Sequence, residues 1–145
     1  MKTRLIYLLP DELARRQPIV LFDGDCCICN LSVQFLLEHN HKKDLNFTSL
    51  QSVSGKRIAA LTDKSFPQKD TVLFLKDNTL SVRSTAALNI VSHLGIMWQI
   101  FQVFRILPLS FRDAIYRLFA KNRYKWFGKN QSCMITHEYP GRFIR

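Results

Sequence analysis

Apolar residues in this chain fall in short runs separated by polar turns. Pro18-Ile19-Val20-Leu21-Phe22 is the first clear run. It does not alternate and is rich in branched side chains, which predicts a strand buried on both faces. Asp23-Gly24-Asp25 closes it as a turn signal. From Cys26 to His39 the period lengthens: Ile28, Leu31, Phe35 and either Leu36 or His39 recur at helical spacing, and Asn40-His41-Lys42-Lys43 ends the pattern. Leu45–Leu50 predicts a second strand, and Ser54 is placed to cap a short helix running to about Leu61. Beyond Pro67, Thr71–Leu75 predicts a third strand. Lys76-Asp77-Asn78-Thr79 then makes a hairpin turn, and Leu80–Arg83 returns as a fourth strand. Ser84 is a good cap for a helix over Thr85–Leu94, stopped by Gly95.

The order is β-α-β-α-β-β-α. Alternation of strand and helix implies parallel crossovers among the first three strands, with the hairpin adding an antiparallel one. This is an α/β chain with the element order of a thioredoxin-like core, and two more helices follow it. Ile96, Ile100, Phe104 and Leu107 share a face up to Pro108. Ser110, with Asp113 three residues on, opens the next helix in a variant of the capping box. Its apolar stripe, Phe111, Ala114, Ile115, Leu118 and Phe119, is expected to pack onto the core. Between Leu88 and Phe111, the residues His93, Gln99, Gln102 and Arg105 interrupt the apolar character too often for a membrane-spanning helix. An interfacial helix is the alternative to core packing. The 145 residues suit one domain over 18–145, with a core at about 18–95, a helical part at about 96–145 and an N-terminal extension at 1–17.

Composition adds three points. Hydrophobic residues make up 47% of the chain, enough for a core that needs no disulfide staples. The apolar patch Leu5–Leu9 is shorter than the roughly 7–15 residues of a secretory signal core, so a cytoplasmic location is expected. The net charge is +10, and residues 101–145 supply +7 of it, from nine Lys/Arg against Asp113 and Glu138. Such a surface is either a solvated basic face or a contact for an acidic partner or a membrane surface; no aromatic-rich motif points to nucleic acid.

Three of the four cysteines lie within Cys26-Cys27-Ile28-Cys29. Secreted scaffolds spread their cysteines to close long loops, so this clustering suggests redox or metal chemistry. Residues three apart share one side of a helix at ~5–6 Å, within reach of a disulfide. Cys26 and Cys29 are therefore the candidate redox pair, and a Cys26–Cys27 bridge would strain the backbone. At the first turn of its helix, Cys26 meets unpaired N–H groups and the positive end of the dipole, which favour a thiolate. A drop in thiol pKa from ~8.5 to about 7 would raise the thiolate fraction at about pH 7.4 from under ~10% to roughly 70%. Cys26 would then attack a disulfide and Cys29, deeper in the helix, would resolve the product. The carboxylates of Asp23 and Asp25 oppose a thiolate by like charge, cap the helix, or accept the proton of Cys29. Cys27 and Cys133 are open to a role as auxiliary thiols or as packed residues. Zinc on Cys26, Cys29, Cys133 and one of His39, His41 or His137 lacks the second paired motif that such sites use, so no metal is expected.

The segment Leu21-Phe22-Asp23-Gly24-Asp25-Cys26-Cys27-Ile28-Cys29-Asn30 resembles the D-x-x-C-x-x-C signature of the DCC family of thiol–disulfide oxidoreductases, met by Asp23, Cys26 and Cys29. Val82-Arg83-Ser84-Thr85-Ala86-Ala87 is similar to the family's second block. Arg112-Asp113 with Tyr116, Asn122-Arg123-Tyr124 and Phe127-Gly128-Lys129 resemble its C-terminal block, and Cys133 falls where many members carry a late cysteine. The resemblance implies a thioredoxin-like fold and disulfide exchange by Cys26 and Cys29. Gly24, Asp25, Arg83 and Ser84 join the site through these motifs. It implies no cofactor beyond the thiol pair, and a protein disulfide or low-molecular-weight thiol as partner. Where thioredoxins carry a cis-proline before the third strand, this chain has Asp70, with Pro67 three residues earlier. An acid there would raise the pKa of the thiols. The competing reading is a binding or adaptor protein on the same fold, working through the basic C-terminal surface.

Overall fold

In a computed structural model describing residues 2–4 (backbone only), 10–61, 72–128 and 141–144, the chain runs β1 (Lys2–Arg4), α1 (Asp11–Arg15), β2 (Ile19–Phe22), α2 (Cys27–His39), β3 (Asn46–Ser49), α3 (Val53–Ala60), β4 (Leu73–Lys76), β5 (Thr79–Val82), α4 (Arg83–Val91), a 3₁₀ segment (Ile96–Ile106) and α5 (Leu109–Phe127). The five strands form one mixed sheet in the order β1-β5-β4-β2-β3. The hydrophobic run at 19–22 sits near its centre, every residue buried. Alternate side chains of β2 serve different layers. Ile19 and Leu21 join Leu13, Ile58, Leu73 and Leu75 on one face; Val20 and Phe22 join Val33, Leu37, Phe47 and Phe74 on the other. Thus α1 and α3 cover one face of the sheet, and α2 and α4 the other, as the period-2 geometry of a strand requires. This is a thioredoxin-like α/β arrangement.

The strand pairing departs from the expected pattern. β2 and β3 are parallel, but β4 runs antiparallel to β2. A buried apolar run such as Leu73–Leu75 reads the same in either direction, so burial alone carries no strand polarity. The hairpin is as expected: Asp77 and Asn78 both have positive φ (50° and 55°), the demand of a type I′ turn. Three caps differ from expectation: α5 begins at Leu109 with Pro108 at its N-cap, so Ser110 does not cap it. Ser52, not Ser54, caps α3 by accepting from Gly55 N–H at 3.0 Å. α4 begins at Arg83, which frees the Ser84 hydroxyl for another partner. Gly55 is required where it stands: a Cβ there would lie 1.9 Å from the carbonyl oxygen of Ser49, so α3 rides directly on the β3 backbone.

The C-terminal part differs more. Residues 96–106 wind as a 3₁₀ helix, not an α-helix, and bury none of their residues. α5 turns its face the other way round from the expected packing. Ala120 and Arg123 are buried, while Phe111, Ile115, Leu118 and Phe119 are exposed. The inward face of α5 carries polar groups because it serves the site described next. The chain comes back at 141–144 to lie beside β3, where Phe47 N–H donates to Arg142 O and Ile144 N–H to Phe47 O, both at 2.8 Å.

Candidate active site

β2 ends at Phe22, and the chain turns through Asp23-Gly24-Asp25 before entering α2. Gly24 is pinned against the end of β3: its N–H donates to Gln51 Oε1 at 3.0 Å, and a Cβ would stand 2.8 Å from Ser49 Oγ. Asn30 ties the first turn of α2 back to this loop through Gly24 O at 3.0 Å. Cys26 occupies the N-cap of α2, so its backbone carbonyl accepts from Asn30 N–H at 3.1 Å.

Cys26 and Cys29 are free thiols, and the Cys29 thiol hydrogen-bonds to the Cys26 sulfur. Cys27, between them, is held in a disulfide. Cys133 and Asp70 lie outside the described residues. Cys29 lies further into α2 than Cys26, yet Cys26 is only 1% exposed while Cys29 is partly exposed. Burial pushes the Cys29 thiol well above its ordinary pKa. The bond to Cys26 and the negative charge of Asp23 add to this, and Arg123 opposes it.

Asp23 is buried and heavily bonded. Its Oδ1 accepts from Gln51 Nε2 at 2.7 Å and Asp25 N–H at 3.1 Å. Its Oδ2 accepts from Arg123 Nη2 at 2.9 Å and from the Tyr124 hydroxyl. Arg123 also directs Nη1 to Cys29 Sγ at 3.3 Å. One guanidinium thus spans the carboxylate and the thiol, the kind of planar fork that a lysine does not offer. Of the residues expected here, Asp23, Gly24, Cys26 and Cys29 converge, whereas Asp25 is exposed. Arg83 and Ser84 stand at a second junction, between β5 and α4. Arg83 takes a left-handed backbone (φ 52°), a costly conformation for a side chain of its size. Ser84 donates its hydroxyl to Asp113 of α5. Close by, the Tyr116 hydroxyl accepts from Val72 N–H at 2.9 Å, and burial raises its pKa.

Tyr116, Arg123 and Tyr124 stand in the C-terminal motif block without a site role assigned to them there, and Gln51 lies in none of the motif blocks. Beside that block, the spacing of Tyr116, Ala120 and Arg123 on one face of α5 is a further signal for Tyr116 and Arg123. Cys29, Phe22, Phe35, Trp98, Tyr116 and Arg123 line a predominantly apolar cavity of about 640 Å³ between α2, α4, the 3₁₀ segment and α5.

Two free thiols at the entrance of a helix, just after a strand of a thioredoxin-like sheet, are an arrangement suited to thiol–disulfide chemistry. Comparison with known proteins makes this particular. The DCC1-like thiol-disulfide oxidoreductase model matches residues 20–129, and the chain belongs to that family, which gives it a general thiol–disulfide oxidoreductase role. It is 38% identical over 117 residues to the uncharacterized protein YuxK of Bacillus subtilis (strain 168), covering 81% of this chain and 85% of that protein. It is 31% identical over 121 residues to the chloroplastic DCC family protein At1g52590 of Arabidopsis thaliana, covering 83% and 70% of the two chains. No solved structure matches.

Proposed function

We propose that this chain, acting in the cytoplasm, exchanges a Cys26/Cys29 dithiol for the disulfide of a protein or a low-molecular-weight thiol. The reading rests above all on the two free thiols at the entrance of α2, with the Arg123 guanidinium 3.3 Å from Cys29 Sγ. Burial keeps Cys29 protonated until it is needed. In the first step the Cys26 thiolate attacks one sulfur of the substrate disulfide. A mixed disulfide forms on Cys26, and the other substrate sulfur leaves as a thiolate. In the second step Cys29 loses its proton to solvent and attacks the Cys26 sulfur. The Cys26–Cys29 disulfide forms and the second substrate thiolate departs, so the substrate gains two electrons and the pair loses two. Arg123, 3.3 Å from Cys29 Sγ, supports the charge that develops in this step, and Asp23 holds Arg123 in place. An external dithiol returns the pair to its reduced form.

Burial of Cys26 makes the order of attack the point to test. The Cys29→Ser variant is expected to accumulate mixed disulfides on Cys26, identified by mass spectrometry. The Cys26→Ser variant should accumulate none. If Cys26→Ser traps the partner through Cys29 instead, the assignment of attacking and resolving thiols is wrong. If neither traps and the wild type does not reduce a small model disulfide, the exchange reading fails altogether.

A further inference from the structure

The outward surface of the 3₁₀ segment and α5 is built unlike a solvated surface. A 3₁₀ helix has three residues per turn, so residues three apart stand in line. One line, Trp98, Phe101 and Phe104, stacks ring on ring. A second carries the tethers: Gln102 donates to Leu88 O at 2.7 Å and Arg105 to Asn89 Oδ1 at 2.6 Å. The third is Met97, Ile100, Val103 and Ile106, exposed by 82, 73, 60 and 83%. On α5 the outward residues divide into two adjoining stripes at helical spacing: Phe111, Ile115, Leu118 and Trp126 are apolar and exposed, and Arg117, Lys121 and Lys125 are basic and exposed. From 96 to 128 the single acid is Asp113, which is engaged by Ser84.

We propose that this face docks on the surface of an anionic phospholipid bilayer. Apolar side chains would enter the boundary between headgroups and acyl chains, and the basic stripe would meet lipid phosphates. Charge complementarity selects this occupant. A second copy of the chain would bring like-charged stripes together, whereas an anionic bilayer answers both stripes at once. No described helix is long and apolar enough to cross a membrane, so the contact lies in the interface plane. The docking stands apart from the cysteine chemistry and does not depend on it.

The test is co-sedimentation of the full chain with phosphatidylcholine vesicles containing phosphatidylglycerol, against vesicles of phosphatidylcholine alone. In parallel, the fluorescence of Trp126 is followed in a Trp98→Phe background, which leaves it the sole tryptophan. Binding is expected on the anionic vesicles only, weakened by salt, with a blue shift of Trp126. Each basic residue near such a surface is worth about five-fold in partition, so Arg117→Gln/Lys121→Gln/Lys125→Gln is expected to bind about a hundred-fold more weakly. Ile100→Asp/Ile106→Asp, at sites exposed in the folded chain, is expected to abolish the blue shift while the circular dichroism is unchanged. Absence of binding to anionic vesicles overturns the proposal. So does equal binding by either variant, or a concentration-dependent dimer that shifts Trp126 without lipid.

Discussion

Replacing Arg123 by methionine is the most informative single perturbation of the site. The Arg123–Asp23 pair is 2.9 Å long, and both side chains are 5% exposed. At an effective dielectric constant near 20, two unit charges ~4 Å apart attract by about 4 kcal/mol. Removing one partner of a buried pair typically costs about 3–5 kcal/mol, because the other charge is left without compensation. Here the orphaned Asp23 would keep Gln51, Tyr124 and the Asp25 N–H, which favours the lower end, about 3 kcal/mol. With a urea slope of about 2 kcal/mol/M, the unfolding midpoint should fall by roughly 1.5 M. Asp23→Asn should be destabilising too. The double variant should cost less than the two single variants together, by at least about 2 kcal/mol, since neither charge is then stranded. Arg123→Lys should fall between, retaining charge but losing the two-pronged reach to Asp23 and Cys29. Urea titrations of the four variants and wild type measure all of this. If Arg123→Met costs under about 1 kcal/mol, or the two single costs add within about 0.5 kcal/mol, the ion pair does not hold α5 against β2.

Two further outcomes follow from the same geometry. Burial disfavours the Cys29 thiolate and raises its pKa, so in a Cys26→Ser background alkylation of Cys29 by iodoacetamide should accelerate with pH up to at least about pH 10, with no plateau near neutrality; a plateau near pH 7 refutes the assignment, and adding Arg123→Met should slow the reaction at every pH. Gly55→Ala should destabilise the chain by about 2–3 kcal/mol in urea titration, because its Cβ would lie 1.9 Å from a backbone oxygen that cannot rotate away; a cost under about 0.5 kcal/mol would show that α3 can lift off β3 freely.

What could be read from sequence was whatever short-range pattern encodes. The runs 19–22 and 73–75 were legible as strands because every residue in them is apolar and buried. The Asp77-Asn78 turn was legible because those residues tolerate positive φ. The candidate pair was read from helical spacing, and the structure places Cys26 at the N-cap of α2 and Cys29 in its first turn. The rest depends on distance. Asp23 and Arg123 are separated by 100 positions, and no local pattern joins an arginine on the last helix to an acid after the second strand. The antiparallel course of β4 is equally silent, since side-chain burial has no direction. The face of α5 was misjudged for a clear reason: amphipathic reasoning turns the most apolar stripe inward. Here the inward positions are taken by Asp113, Tyr116, Ala120 and Arg123; Asp113 binds Ser84, Tyr116 binds Val72, and Arg123 binds Cys29 and Asp23.

That inversion does not by itself account for the apolar outward stripe. A helix needing polar groups inward has no need of apolar groups outward; Glu, Lys or Gln at 111, 115, 118 and 126 would suit water and favour the helix at least as well. Leaving a large apolar side chain exposed forgoes roughly 1.5–3 kcal/mol that its burial would yield, and the line Met97, Ile100, Val103 and Ile106 repeats the pattern on a different element. Two elements with different helical periods, 3.0 and 3.6 residues per turn, both bring their apolar positions to the solvent side. The inward face of α5 is explained by Asp23, Cys29 and Arg123. Its outward face, with the 3₁₀ row beside it, is explained by a contact outside the chain, and the basic stripe specifies an anionic one. The two explanations separate experimentally because they use different sides of one helix. Loss of vesicle binding in the Lys121 and Lys125 variants should leave the reduction of a soluble model disulfide intact, and loss of exchange in Cys29→Ser should leave vesicle binding intact.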